Sequence, residues 1–306
     1  MKDLNLTPDI QSLLTAQLAK MVGAHKPRML WDDAVAKYIA ESENKDRVNE
    51  QNLFKILSPY FEGMYLDEIT RSDINRLIDG RKADGVSNTT VNRALQKVRA
   101  VLRRATKDWD VVCDVPYIKM LKEPRMRVRW LSEAEANRLR AALPSHLRAM
   151  MDLTLETGLR ESNITLLRWN QVNWRERVIY IEGEDVLKGE KAFVVPLSPR
   201  AIEILKKQKG KHTERVFVYR GKPVRRANGK AFRAALKRAE IQNFRWHDLR
   251  HTWATWHVQR GTPLDVLQEL GGWQDLTMVK RYAHYDHAYL HKWVAPPEKP
   301  TKSAGV

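Results

Sequence analysis

Cysteine is nearly absent: Cys113 is the only one in 306 residues. That excludes an internal disulfide and any cysteine-rich zinc site. Its place in the apolar run Val111-Val112-Cys113 marks it as a buried structural thiol. Long apolar runs are missing too, and nothing approaches the roughly 20 residues of a membrane span. The opening MKDLNLTPDIQ lacks the charged-then-apolar pattern of a secretion signal. The expectation is a soluble, cytoplasmic protein with no membrane partner. No glycine-rich loop ends in Lys-Ser or Lys-Thr, so ATP is not expected. No carboxylate cluster of the kind metal-dependent nucleases use is evident, so the expected cofactor and metal complement is none. Acid is scarce relative to base: 37 Asp and Glu stand against 54 Lys and Arg, a formal charge of +17. Between Lys206 and Arg238, thirteen Lys or Arg face the single acid Glu214. Clustering of this kind points to a polyanionic partner, nucleic acid before an anionic membrane surface.

What the chain does carry is helix signal. Its length allows two domains, each with its own core. Residues 1–28 read as a short arm, either one helix through Leu13, Leu14, Leu18 and Met21 or a poorly ordered terminus. Residues 29–114 read as a helical domain. A short helix carrying Ile74, Leu77 and Ile78 is expected to start at a Ser72 cap and stop near Gly80. The clearest helix spans 88–107, where Val91, Leu95, Val98, Val101, Leu102 and Ala105 share one face. Its other positions hold Arg93, Lys97, Arg99, Arg103, Arg104 and Lys107, with no acid until Asp108. That face is a solvated surface or, as the unbroken charge favours, a surface laid against DNA phosphates. Residues 115–129, with two prolines and Lys119, Lys122, Arg125 and Arg127, read as a basic linker that passes around a duplex.

The second domain is expected over 130–293. Ser132 and Glu135 form a capping box. A helix through Leu147, Met150, Met151 and Leu155 ends at Gly158, with Arg160 at the turn beyond it. Two strands are predicted at 177–181 and 192–195, with Lys188 and Lys191 between them, and a third near 216–219. Ser198-Pro199 caps another helix. Residues 294–306 read as a loose tail. The fold class is mostly α with a small antiparallel β-sheet.

The stretch 246–285 is the richest in chemistry. His247 and Arg250 lie three apart, on one helical face. Gly261 stops that helix, Thr262-Pro263 is expected to restart the chain as N-cap and N1, and Gly271-Gly272 stops it again before Trp273. Tyr282 follows Lys280 and Arg281. A basic, aromatic run folded back by glycines suggests a phosphate site with a tyrosine beside it. Phosphoryl transfer without a metal needs fixed cations on the phosphate oxygens, and losing one such donor typically costs about 10²–10³ in rate. Arginine suits that task because its planar fork holds two oxygens. A nucleophile and a general acid are also required. His247 and His251, at i and i+4, have the spacing of a zinc pair. Asp248 stands where a metalloprotease helix needs Glu, and no third ligand is evident, so zinc is not expected.

Four segments in order resemble the motifs of the tyrosine recombinase, or phage integrase, family: TGLRESNITLLRW (157–169), LKGEKAFVVPL (187–197), HDLRHTWAT (247–255) and LGGWQDLTMVKRYAH (270–284). The resemblance spans about residues 29–290 and implies a helical, SAM-like core-binding domain followed by a mixed α/β catalytic domain. It implies that Tyr282 attacks a DNA phosphate to give a 3′-phosphotyrosyl link. Arg160 and Arg250 would hold the non-bridging oxygens, His247 would assist proton transfer, and Lys188 would protonate the leaving 5′-oxygen. Motif position, not chemistry, favours Lys188 over Lys191. Trp273 stands where many relatives have His; it cannot ionise and must act by packing or through its indole N–H. Asn163 departs from the family, many of whose members carry a carboxylate there. The implied partners are double-stranded DNA at a specific site, a homotetramer on paired sites, and accessory DNA-bending or directionality proteins. A regulator without strong catalysis, or a relaxing topoisomerase, is the alternative on the same scaffold.

Overall fold

Residues 27–44, 46–124, 128–182, 192–283 and 294 are described by a computed structural model. The chain divides into two units, Met1–Arg125 and Met126–Val306. The arm helix expected before residue 27, Arg125, Arg127, Lys188 and Lys191 lie outside the described residues.

The first unit is helical: α1 (Trp31–Ala40), α2 (Arg47–Phe61), α3 (Arg71–Ala83) and α4 (Asn88–Lys107). Helix α4 starts where Ser87 accepts the Thr90 N–H, and all six apolar residues of its predicted face are fully buried. They pack with Leu57, Phe61, Leu77 and Trp31 in one core. Helix α3 departs from its expected bounds. Thr70, not Ser72, caps it, with both its N–H and its hydroxyl donating to Asp73. It also runs through Gly80. A Cβ there would stand 2.3 Å from the Tyr60 hydroxyl, so this glycine serves close helix packing rather than a stop. Cys113 is buried, and burial pushes its thiol up. The segment read as linker does not leave the unit at once. Ile118 joins the core, and Leu121 exchanges backbone hydrogen bonds with the Asn92 side chain.

The charged face of α4 is not the uniform open surface that charge alone suggests. Lys97 Nζ sits 2.6 Å from the buried Glu50 carboxylate, and Arg99 donates to the Ile118 carbonyl. Arg104 pairs with Glu41 and Asp108 at 3.2 and 3.5 Å. Arg93, Arg103, Lys107, Lys119 and Lys122 stay exposed. Burial works to raise the Glu50 carboxyl, but bonds from Lys97 and Ser42 outweigh it and hold it below its ordinary value. A carboxyl depressed in the fold contributes stability above its unfolded pKa and loses it as pH falls through the folded one. Lys97→Met is therefore expected to cost about 3 kcal/mol at pH 7, near the low end for breaking a buried pair. The loss should shrink toward pH 4 as Glu50 protonates. Urea unfolding at the two pH values checks this.

In the second unit, Ser132 and Glu135 form the expected capping box on α5 (Glu133–Ala142), and α6 (Ser145–Thr157) ends at Gly158, φ 66°. Then come α7 (Glu161–Thr165) and an antiparallel sheet, β1 (Val172–Asn173), β2 (Val178–Ile181) and β3 (Phe193–Pro196). Ile179 faces Val195 across the β2–β3 register. Strand β1 was not expected; two residues carry no alternation to read. Ser198 caps α8 (Pro199–Lys206), and β4 (Val218–Tyr219) pairs with β5 (Lys222–Pro223). Helix α9 (Lys230–Arg238) precedes α10 (Asp248–Gln259), α11 (Leu264–Gly271) and α12 (Leu276–Lys280). Pro263, not Thr262, is the N-cap of α11.

Helix α10 is the axis of this unit. Every residue from Asp248 to Thr255 is buried. A helix enclosed on all sides is normally apolar, yet this one buries Arg250, His251 and Thr252. Buried polar groups of this kind are retained where they have partners. No helix among the described residues is long and apolar enough to cross a membrane.

Candidate active site

Gly158 ties the two arginines of the site together. Its left-handed conformation ends α6 and delivers Arg160 to the N-cap position of α7. Its carbonyl accepts a 2.8 Å hydrogen bond from Arg250 Nη1. Arg250 Nη2 donates in turn to the Gly271 carbonyl at 2.6 Å. Both carbonyls lie at helix C-termini, of α6 and α11, where the helix dipole presents negative charge. A guanidinium that is only 2% exposed is thus held by two helix ends. Its flat face lies over the Trp273 ring, 4.2 Å from centroid, an attraction of cation to π-face.

Trp273 is packed on several sides. It stacks on Trp253 at 5.9 Å and meets Tyr282 at 5.6 Å. The backbone around it is glycine for steric reasons. A Cβ on Gly271 would lie 2.0 Å from the Trp273 ring, and one on Gly272, where φ is +62°, would lie 2.6 Å from Phe193 of β3. Gly271→Ala is therefore expected to displace Trp273 from under Arg250 and cost about 1–3 kcal/mol, the usual range for overpacking. Thermal unfolding and loss of indole fluorescence shift on binding DNA would check it.

His247 stands just before α10, open to solvent on one side. Partial burial lowers its pKa first, and the charges of Arg250, Arg160 and Arg245 lower it further against the opposing Asp248. The surroundings therefore favour the neutral ring, which can give or take a hydrogen bond. An arriving phosphate would offset the arginine charges and raise its proton affinity.

Tyr282 follows α12 and is 3% exposed. Burial raises its phenol pKa, opposed by Arg250 and Arg281. Its hydroxyl lies 2.7 Å from Nδ1 of His251, which is itself buried. The sequence pattern placed His251 only in a discarded zinc pair with His247. Its i, i+4 spacing from His247 was the available signal, but nothing in one helix could show a tyrosine 31 residues on. Among the described residues no group of three or more His, Cys, Asp or Glu is placed to hold a metal ion.

Of the residues expected to form the site, Arg250 and Tyr282 each meet Trp273, and the Arg250 charge bears on the Tyr282 phenol. His247 packs edge-on against His251 at 4.9 Å, and Arg160 is close enough to bear on its charge. Glu161, beside Arg160, accepts the backbone N–H groups of Ala227 and Asn228 at 2.7 and 2.8 Å. It thereby pins the middle of the basic 206–238 stretch near Arg160, a contact no motif indicated. Arg250 bears on both the Tyr282 phenol and the His247 imidazole, and Arg160 bears on His247, a set of charges suited to an anionic ligand.

The chain is similar to several known proteins. The model of the phage integrase family matches residues 129–288. The integrase of Salmonella phage P22 is 34% identical over 298 residues, covering 84% of this chain and 77% of that protein. A tyrosine recombinase of Thermosipho africanus is 25% identical, covering 83% and 93%. Among solved structures, the Tn1549 transposon integrase in complex with transposon right end DNA matches with a TM-score of 0.72 at 19% identity, covering 87% of this chain and 98% of that one. A lambda integrase tetramer bound to a Holliday junction matches at 0.70 and 19%, covering 92% and 87%. The structural likenesses show the shared two-domain fold. With the sequence relationship to the P22 integrase and the match of the family model over more than half its length, the chain belongs to the phage integrase family.

Proposed function

We propose that this protein is a site-specific DNA recombinase that integrates or excises a phage or other mobile element. The observation that carries the proposal is the convergence of Arg250, Trp273 and Tyr282, with His247 and Arg160 beside them, on one electropositive site. In this reading the Tyr282 oxygen attacks the scissile phosphorus. The bond from phosphorus to the 5′-oxygen breaks, and the 3′-phosphate stays on tyrosine. Arg160 and Arg250 neutralise charge that grows on the non-bridging oxygens. His247 orients the phosphate and assists proton movement. Lys188 gives its proton to the leaving 5′-oxygen. This role for Lys188 rests on its motif position; Phe193, five residues on, packs on Gly272 next to Trp273.

The 5′-hydroxyl of a second strand then attacks the phosphotyrosine and frees the phenol. The phosphodiester energy is kept throughout, so neither ATP nor a metal is chemically required. Exposed Arg93, Arg103, Lys119 and Lys122 support contacts to the DNA backbone. Strand exchange would use four copies on two sites, a partner arrangement suggested by the lambda tetramer. Accessory bending or directionality proteins would set direction. The regulator and topoisomerase alternatives are not favoured, since the relatives are integrases and tyrosine recombinases.

The test is a nicked duplex carrying the element's own attachment sequence, incubated in EDTA without nucleotide. A denaturation-resistant protein–DNA adduct is expected at the full rate. Cleavage that needs added metal, or that leaves no adduct, would overturn the proposal.

A further inference from the structure

The reading above leaves one buried group without a task. His251 is 5% exposed, and its Nδ1 lies 2.7 Å from the Tyr282 hydroxyl. Among the described residues this is the hydroxyl's only hydrogen bond. A buried O–H needs an acceptor, so Nδ1 carries no proton and the ring is the neutral Nε2–H tautomer. The rings meet at 5.5 Å and 46°, and the Trp273 ring lies 5.6 Å from that of Tyr282. In this slot the phenol is 3% exposed and its hydroxyl is engaged by His251 rather than free for a phosphate.

Resting on the assignment of Tyr282 as nucleophile, we propose that His251 is a positioning residue that holds the Tyr282 phenol in a withdrawn pose until DNA binds, and that cleavage requires this hydrogen bond to break. A general base at the same place is the competing role, and the surroundings exclude it in this pose. His247 packs edge-on against His251, and Arg281, Arg250 and Arg245 bear on it as well. Burial and these neighbours lower its pKa to about 4, while burial raises that of Tyr282 above its usual 10. The two shifts both oppose passing a proton from the phenol to this imidazole. His251 accepts a hydrogen bond here; it does not take the proton. Release exposes the phenol, which loses its burial penalty as it meets the arginine-bound phosphate.

The test uses the full chain and single-turnover adduct formation on the nicked attachment-site duplex. His251→Phe removes the acceptor and keeps a ring; adduct formation is expected to be about 2- to 12-fold faster, the weight of one net hydrogen bond. His251→Asn places an acceptor near the Nδ1 position and is expected to restore the wild-type rate. An unchanged or slower rate in His251→Phe would overturn the proposal. A second measurement needs no variant. Two-bond nitrogen–proton correlation on the DNA-free protein should show His251 Nδ1 unprotonated and hydrogen-bonded, with that bond lost on adding DNA. A protonated Nδ1, or no change with DNA, would contradict it. Tyr282→Phe in each His251 background separates the two claims: an adduct there would defeat the nucleophile assignment and leave no phenol to restrain.

Discussion

Tyr282→Phe is expected to abolish the covalent protein–DNA adduct while leaving DNA affinity within a factor of about two. The change deletes one oxygen and keeps the ring between His251 and Trp273. What the fold loses is a single buried hydrogen bond, about 0.5–1.5 kcal/mol net, with the His251 acceptor left open. What the reaction loses is its nucleophile. No neighbouring oxygen in the described site stands in for it, and water is kept out of a slot where Tyr282 is 3% exposed. DNA affinity should survive because it rests on spread positive charge, whose contribution tracks the number of phosphates neutralised. Gel shift and denaturing gel on the same samples separate the two quantities.

Arg250 should give the second largest effect and a more mixed one. Its guanidinium satisfies the Gly158 and Gly271 carbonyls and lies on Trp273. Arg250→Ala removes a cation from the phosphate site, expected to slow adduct formation by about 10²–10³. It also leaves two buried carbonyls without that donor, at about 1–3 kcal/mol each where no water replaces it. Arg250→Lys keeps a charge but not the fork that spans both helix ends. It should recover part of the stability and little of the rate. Melting temperature and single-turnover rate, measured on both variants, should therefore part company. Rates that simply follow stability would reduce Arg250 to a structural strut.

The long periodic helix α4 was legible because twenty residues repeat one pattern, and packing against Leu57 and Trp31 rewards that pattern directly. The capping box at Ser132 and the turn at Gly158 were legible because each is local chemistry. Arg250, Trp273 and Tyr282 could be named from the resemblance of their segments to the family's motifs. Why Arg250 tolerates burial could not, since its partners are backbone carbonyls at the ends of two other helices. Helix α10 hides its role for a related reason: enclosed on every side, it shows no amphipathic stripe. Gly80 and the inward turn of Lys97, Arg99 and Arg104 were misleading. A glycine reads as a stop and a basic run as an open face until neighbouring elements are in place. His251 falls in the same class, because its partner comes from a turn 31 residues downstream.

The central claim is that Tyr282, rather than any other residue, carries the DNA. Peptide mass mapping of the trapped adduct, after nuclease trimming to the linked nucleotide, tests it most directly. The account predicts a 3′-phosphonucleotide on the peptide containing Tyr282, with fragmentation placing it on that residue. The same mass on Tyr285 or Tyr289, or on a serine or histidine elsewhere, would contradict it.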